Sequence, residues 1–123
     1  VGGGAGFLCK ALLDRFPAIE TAVVEDLSAV AEQGARDVTA GGDDDRYGTR
    51  LRFQPYSFFD EQSVRNADVY LWRCVLHDWP DSYAVQLLRN QIPALKTGAR
   101  LLFNERCLQA PQARTHVSDQ FAR

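Results

Sequence analysis

Apolar positions along the chain change period several times, and the changes outline alternating helices and strands. After an opening run of glycines, Phe7, Leu8, Ala11, Leu12 and Phe16 recur at helical spacing, and Pro17 ends that helix. Thr21 to Val24 is a short strand-forming run that stops at Glu25 and Asp26. Leu27, Val30 and Ala31 fit a short helix. Gly34 to Thr49 is glycine-rich and charged, so it is expected to be loop with some helical character. Leu51, Phe53 and Pro55 fall on alternate positions of a short strand. Val69 to Arg73 reads as a buried strand that runs into a polar, aromatic turn holding His77, Asp78 and Trp79. Asp81 or Ser82 can then cap a helix with Ala84, Val85, Leu88 and Ile92 on one face. After the turn Lys96-Thr97-Gly98, Arg100 to Asn104 is a further strand. Its contiguous Leu101, Leu102 and Phe103 suit a strand covered on both faces.

Strands alternating with helices predict an α/β fold with a mostly parallel sheet. The strands at 51–55 and 69–73 have no long helix between them, so a loop or a single turn makes that crossover. At 123 residues the chain amounts to about one domain. It opens on Val1 with no methionine, and a glycine loop of this kind normally follows a strand. The expectation is therefore a fragment of a longer protein, with a sheet truncated at both ends.

Composition mostly removes possibilities. A hydrophobic content of 46% is enough for a core, and a net charge of -2 provides no basic footprint for nucleic acid. The acidic run Asp43-Asp44-Asp45 reads as a solvated loop rather than a metal site. Cys9, Cys74 and Cys107 are odd in number and widely spaced, which predicts buried reduced thiols, no zinc and a cytoplasmic setting. No apolar run approaches the about 20 residues that span a membrane.

Two segments carry candidate chemistry. Gly2, Gly4 and Gly6 let the backbone turn sharply and approach a ligand, and the following helix points its N–H groups at the same place. Glu25 and Asp26 follow roughly 20 residues on, where a carboxylate commonly accepts hydrogen bonds from ribose. An exposed acidic strand end is the plainer alternative. The pairing marks a nucleoside ligand without choosing between NAD and S-adenosylmethionine. The glycines fit GxGxG, and Phe7 stands where a dinucleotide fingerprint has its third glycine. That disfavours a pyrophosphate gripped by the helix start and is compatible with a smaller ligand whose amino-acid tail lies along the glycines. His77, just past a strand end, reads equally as a general base for an acidic hydroxyl or as a packed imidazole. As a base it needs a carboxylate on its other ring nitrogen. Glu105 is the better candidate, because neighbouring side chains in extended chain point apart and Asp78 adjoins His77.

The ordered set VGGGAG, EDLSAV, ADVYLWRCVLHDWPD and GARLLFNE resembles the S-adenosylmethionine-dependent O-methyltransferases of the plant caffeate and fungal secondary-metabolite type, over nearly the whole chain. The resemblance implies a Rossmann-like class I methyltransferase sheet, with residues 1–123 forming part of the catalytic domain. An N-terminal dimerisation domain and the final strands would lie outside it, and the parent enzyme would be a homodimer. It implies S-adenosyl-L-methionine as cofactor and a phenolic or polyketide-type small molecule as methyl acceptor. Gly2 and Gly4 would contact the methionine portion, Asp26 the ribose, and Ser57 and Phe58 the adenine end. Arg73 would lie near the cofactor, with His77 as base and Glu105 positioning it. Ser57 departs from an aspartate in many relatives, and Ser28 from a proline. The competing readings are a non-catalytic fragment of such an enzyme and a nucleotide-dependent oxidoreductase core.

Overall fold

In the computed structural model, residues 1–106 are described, apart from the side chains of Asp44 and Asp45. Among the described residues, four strands form two parallel ribbons. β1 (Ala22–Asp26) pairs with β2 (Leu51–Pro55), Ala22 opposite Leu51. β3 (Val69–Arg73) pairs with β4 (Arg100–Asn104), Val69 opposite Arg100. The opening residues lie between the ribbons and bond to both. The Val1 amine donates to the Leu71 carbonyl at 3.0 Å, and the Gly3 N–H donates to the Glu25 carbonyl at 3.0 Å. The spatial order is therefore β2, β1, residues 1–3, β3, β4. A Cβ on Gly2 would stand 2.8 Å from Val75, just past β3, and one on Gly3 would stand 2.7 Å from Val24, near the end of β1. The C-terminal ends of β1 and β3 thus meet the glycine segment at one edge, where open α/β sheets bind ligands.

The helices are α1 (Phe7–Arg15), α2 (Ser28–Ala40), the single turn α3 (Asp44–Tyr47) and α4 (Asp81–Gln91). One core cluster joins Leu13, Val24, Val38, Tyr47 and Leu51; the other centres on Trp72, Val75 and Leu87. No helix among the described residues is long and apolar enough to cross a membrane.

Strand bounds at 51–55, 69–73 and 100–104 coincide with the sequence pattern, whereas the helix faces differ from it. The segment from Gly34, expected to be loop with some helical character, continues α2 to Ala40 and holds the turn Asp44–Tyr47. Ala31, Gly34 and Val38 form the buried face of α2, so Gly34 serves close packing rather than a turn. A Cβ there would come 2.4 Å from Phe53 Cε1. We expect Gly34→Ala to destabilise the chain by about 1–3 kcal/mol through overpacking; urea denaturation reads this as a lower midpoint.

On α4 the buried residues are Leu87 and Gln91, while Val85 and Ile92 are exposed, so the predicted stripe is displaced around the helix. Neither Asp81 nor Ser82 caps it. The Pro80 carbonyl accepts the Tyr83 and Ala84 N–H groups instead. β4 is not covered on both faces among the described residues: Leu102 and Phe103 are 47% and 44% exposed. The cysteines also differ from expectation, since Cys74 is exposed and Cys9 half-buried, while Cys107 lies outside the described residues. Asp43 is paired with Lys10 at 2.9 Å, and no cluster suited to a metal ion occurs among the described residues.

Candidate active site

At the end of β1 the two acids separate. Successive strand residues face opposite sides, and Glu25 turns into the interior, 3% exposed, where Gln62 Nε2 donates to its Oε2 at 2.9 Å. Burial pushes the Glu25 carboxyl up, outweighing the Gln62 bond and the nearby amino terminus. Asp26 stays at the open edge. The Gly4 N–H donates to its Oδ2 at 2.8 Å, and the Leu27 N–H donates to its Oδ1 at 2.8 Å. Two charge-assisted bonds therefore hold the carboxylate in one orientation, with further lone pairs left on each oxygen. Gly4 has φ of 56°, a conformation that disfavours a side chain, and a Cβ there would meet nothing within 4 Å. Its Cα side is open, as a backbone cradle for a ligand requires.

Beside Asp26 lies an open cleft of about 420 Å³, lined by Leu27, Pro55, Tyr56, Ser57 and Ser63 among others. Ser57 Oγ accepts the Phe59 N–H at 3.3 Å. Phe58 is not on the cleft wall. Its ring lies 6.2 Å from Trp72 and 5.8 Å from Trp79, within the second core cluster. Leu27, 61% exposed, is the apolar surface the cleft offers instead.

The second half of the site grows from β3. Arg73 ends that strand and is exposed. Cys74 extends the ladder by one bond, its N–H donating to the Asn104 carbonyl at 3.0 Å, and then adopts φ of 54°. A non-glycine residue in the left-handed region costs about 1–2 kcal/mol. The reversal makes the next two N–H groups converge. Val75 and Leu76 donate to Glu105 Oε1 at 2.8 and 2.9 Å. The other oxygen of Glu105 lies 2.7 Å from His77 Nδ1. Burial would raise the Glu105 carboxyl, but the His77 hydrogen bond, the two amides and the His77 charge together hold it below its usual range. An ionised carboxylate only accepts, so Nδ1 carries a proton toward Glu105, and Nε2 is the ring nitrogen left on the far side from it.

Asp78 corrects the sequence expectation. The segment Leu76–Asp78 is a tight helical turn rather than extended chain, and Asp78 Oδ1 comes to 3.3 Å from His77 Nε2. Gly2, with φ of 63°, backs onto Val75, so the glycine segment and the His77 turn touch. The structure therefore gathers Gly2, Gly4, Asp26, Ser57, His77 and Glu105 around the ends of β1, β2, β3 and β4. Sequence reasoning missed Leu27, Gln62, the Cys74 turn and the approach of Asp78. Only Leu27 had a signal, as the residue beside the strand-end acid.

A sequence model of the O-methyltransferase domain matches residues 1–121. The chain belongs to the O-methyltransferase domain family. The O-methyltransferase kk1A of Curvularia clavata is 40% identical over 123 residues, which is all of this chain and 27% of that protein. The mitomycin 7-O-methyltransferase MmcR shares the fold with a TM-score of 0.76 and 36% identity, over 98% of this chain and 33% of its own. NcsB1, an O-methyltransferase from neocarzinostatin biosynthesis, aligns with a TM-score of 0.71 and 33% identity over 83% of this chain and 30% of its own. Its structure holds S-adenosylmethionine and 2-hydroxy-5-methyl naphthoic acid. The chain thus spans about a quarter to a third of these O-methyltransferases, and its fold is the Rossmann-like one of their class.

Proposed function

We propose that this chain is the cofactor-binding and base-bearing core of an S-adenosylmethionine-dependent O-methyltransferase whose acceptor is a phenolic or polyketide-type small molecule. The observation that carries the reading is the clamp on Glu105: two amides on one oxygen and His77 Nδ1 on the other. A packed histidine needs no ionised carboxylate locked in place behind it, whereas a general base does.

The glycine segment and Asp26 fit the cofactor. The backbone at Gly4 is open, and the Asp26 carboxylate is already oriented for ribose hydroxyls. Leu27 and Ser57 would face the adenine. When bound, the cofactor supplies a methyl group already activated on sulfonium. The protein's share is alignment and proton removal. His77 Nε2 accepts the proton of the acceptor hydroxyl as that oxygen becomes the nucleophile, and Glu105 stabilises the imidazolium that results. Asp78 Oδ1 must leave Nε2 for that hydroxyl to bind.

The reading extends to a longer, cytoplasmic and homodimeric parent protein. The bonds from Val1 to Leu71 and from Gly3 to Glu25 support a strand entering between β1 and β3 at Val1. The test of function is incubation of the full-length protein with isotopically methyl-labelled S-adenosylmethionine and a panel of phenols and hydroxylated polyketides. Label on the acceptor oxygen bears the reading out. A protein that binds S-adenosylmethionine but labels nothing favours a non-catalytic core.

Asp26 gives a separate prediction. Asp26→Ala removes the acceptor for Gly4 and Leu27 together with the ribose partner. The Kd for S-adenosylhomocysteine by calorimetry is expected to rise about tenfold to a hundredfold, the effect of losing one or two charged hydrogen bonds. An unchanged Kd would place the ribose elsewhere.

A further inference from the structure

The cofactor side and the base side of the site belong to separate ribbons, yet one helix holds both. Asn90, on α4, donates through Nδ2 to two successive carbonyls, Phe58 at 3.2 Å and Phe59 at 2.7 Å. Its own carbonyl accepts the Gln62 N–H at 3.0 Å. Gln62 is fully buried and reaches in the other direction to Glu25, the neighbour of Asp26. The turn that follows β2 is thus tied at one end to α4 and at the other to β1. From this turn the rings of Phe58 and Phe59 project onto Trp79, which stands two residues after His77. The Phe59 and Trp79 centroids are 4.8 Å apart at 83°, and those of Phe58 and Trp79 are 5.8 Å apart at 78°. Both are edge-to-face pairs, which gain from a fixed angle as well as from burial.

We infer that Asn90 is a positioning residue that sets the spacing between the cofactor cleft and the His77 base, acting through the Phe58–Phe59–Trp79 block. The inference rests on the O-methyltransferase reading. Asn90 touches neither reacting group. It fixes the two carbonyls that aim the Phe58 and Phe59 rings, and those rings brace Trp79 and with it the His77 turn. Ser57, on the cleft wall, adjoins the same clamped pair. Methyl transfer is sensitive to such a linkage, because a displacement of about 1 Å between reacting groups can cost 10²-fold in rate.

Asn90→Leu removes the donors at similar volume, and Asn90→His restores a ring N–H at nearly the same reach. In the full-length protein, amide hydrogen exchange followed by mass spectrometry reads segments 57–62 and 76–79 separately. In Asn90→Leu, which removes both side-chain bonds, we expect exchange to quicken about tenfold or more in both segments. We expect kcat to fall about tenfold to 10²-fold with the acceptor KM nearly unchanged. Asn90→His should recover both. Faster exchange confined to 57–62 overturns the inference, as does faster exchange in both segments with kcat intact. Should Asn90→Leu unfold, Asn90→His decides: protection regained together with turnover supports the linkage, and protection regained without turnover overturns it. The exchange readout needs no acceptor. A wild-type protein without methyl transfer therefore fails the functional reading alone, and the coupling of the two segments is still judged.

Discussion

His77→Ala in the full-length protein is expected to lower kcat by about 10²- to 10⁴-fold, the usual contribution of a general base, while the Kd for S-adenosylhomocysteine stays within about twofold of the wild type. The asymmetry follows from position. The imidazole bonds to Glu105 and approaches Asp78, whereas the groups assigned to the cofactor are the glycine segment, Asp26 and the Leu27–Ser57 cleft. The affinity half of the prediction also guards against misfolding, because a collapsed variant would lose both properties. Steady-state kinetics with a labelled methyl donor and calorimetry on the same preparation provide the two numbers. Unchanged turnover would return His77 to the role of a packed imidazole.

Glu105→Gln should be nearly as severe, although it changes a single atom. Val75 and Leu76 both present N–H groups to Oε1, so the amide oxygen of glutamine is drawn to that side. Its NH2 group then faces His77 Nδ1. A donor there requires a lone pair on Nδ1, which moves the ring proton to Nε2 and removes the acceptor that the substrate hydroxyl needs. Enforcing the wrong tautomer in a comparable acid–histidine pair costs about 10⁴ in rate, and a loss of about 10²-fold or more is expected here. Glu105→Ala, which leaves the tautomer free, separates this effect from loss of orientation alone. Kinetics of the three proteins with one acceptor check the order.

The same carboxylate makes the turn acid-sensitive. The folded Glu105 titrates below its usual 4.5, so its stabilising contribution is fully present above about pH 4.5. It is lost as pH falls through the lower folded value, when protonation removes the charge that strengthens the three bonds Glu105 accepts. Exchange at Val75 and Leu76, corrected for intrinsic rate, should quicken over that acid range in the wild type and show no such step in Glu105→Gln.

Much of this site could be read along the chain because its parts sit at strand ends. A short apolar run that stops at a polar residue places that residue at the sheet's edge. The pattern therefore located Asp26, His77 and Glu105 and matched the bounds of β2, β3 and β4. Helix faces were harder. The stripe expected on α4 included Val85 and Ile92, yet the helix buries Gln91 beside Leu87, where Gln91 Oε1 accepts from buried Gln62 Nε2 at 3.5 Å. Gly34, which opened a segment expected to be loop with some helical character, lies inside α2 and admits the Phe53 ring.

What the sequence determined by itself was the alternation of elements, the parallel pairing of the strands and which polar residues stand at their ends, all of which follow from local periodicity. Only the tertiary structure decided how they act together. Whether Glu105 or Asp78 backs His77 depended on a left-handed turn at Cys74, which turns two amides toward Glu105, and on a helical turn that swings Asp78 to the other nitrogen. Likewise Glu25 and Asp26, adjacent and chemically alike, differ because one strand face meets buried Gln62 and the other meets the glycine segment. The Glu105 clamp, the Gln62 bond to Glu25 and the Gly4 bond to Asp26 join residues more than twenty positions apart, and no local pattern encodes the partner across such a distance.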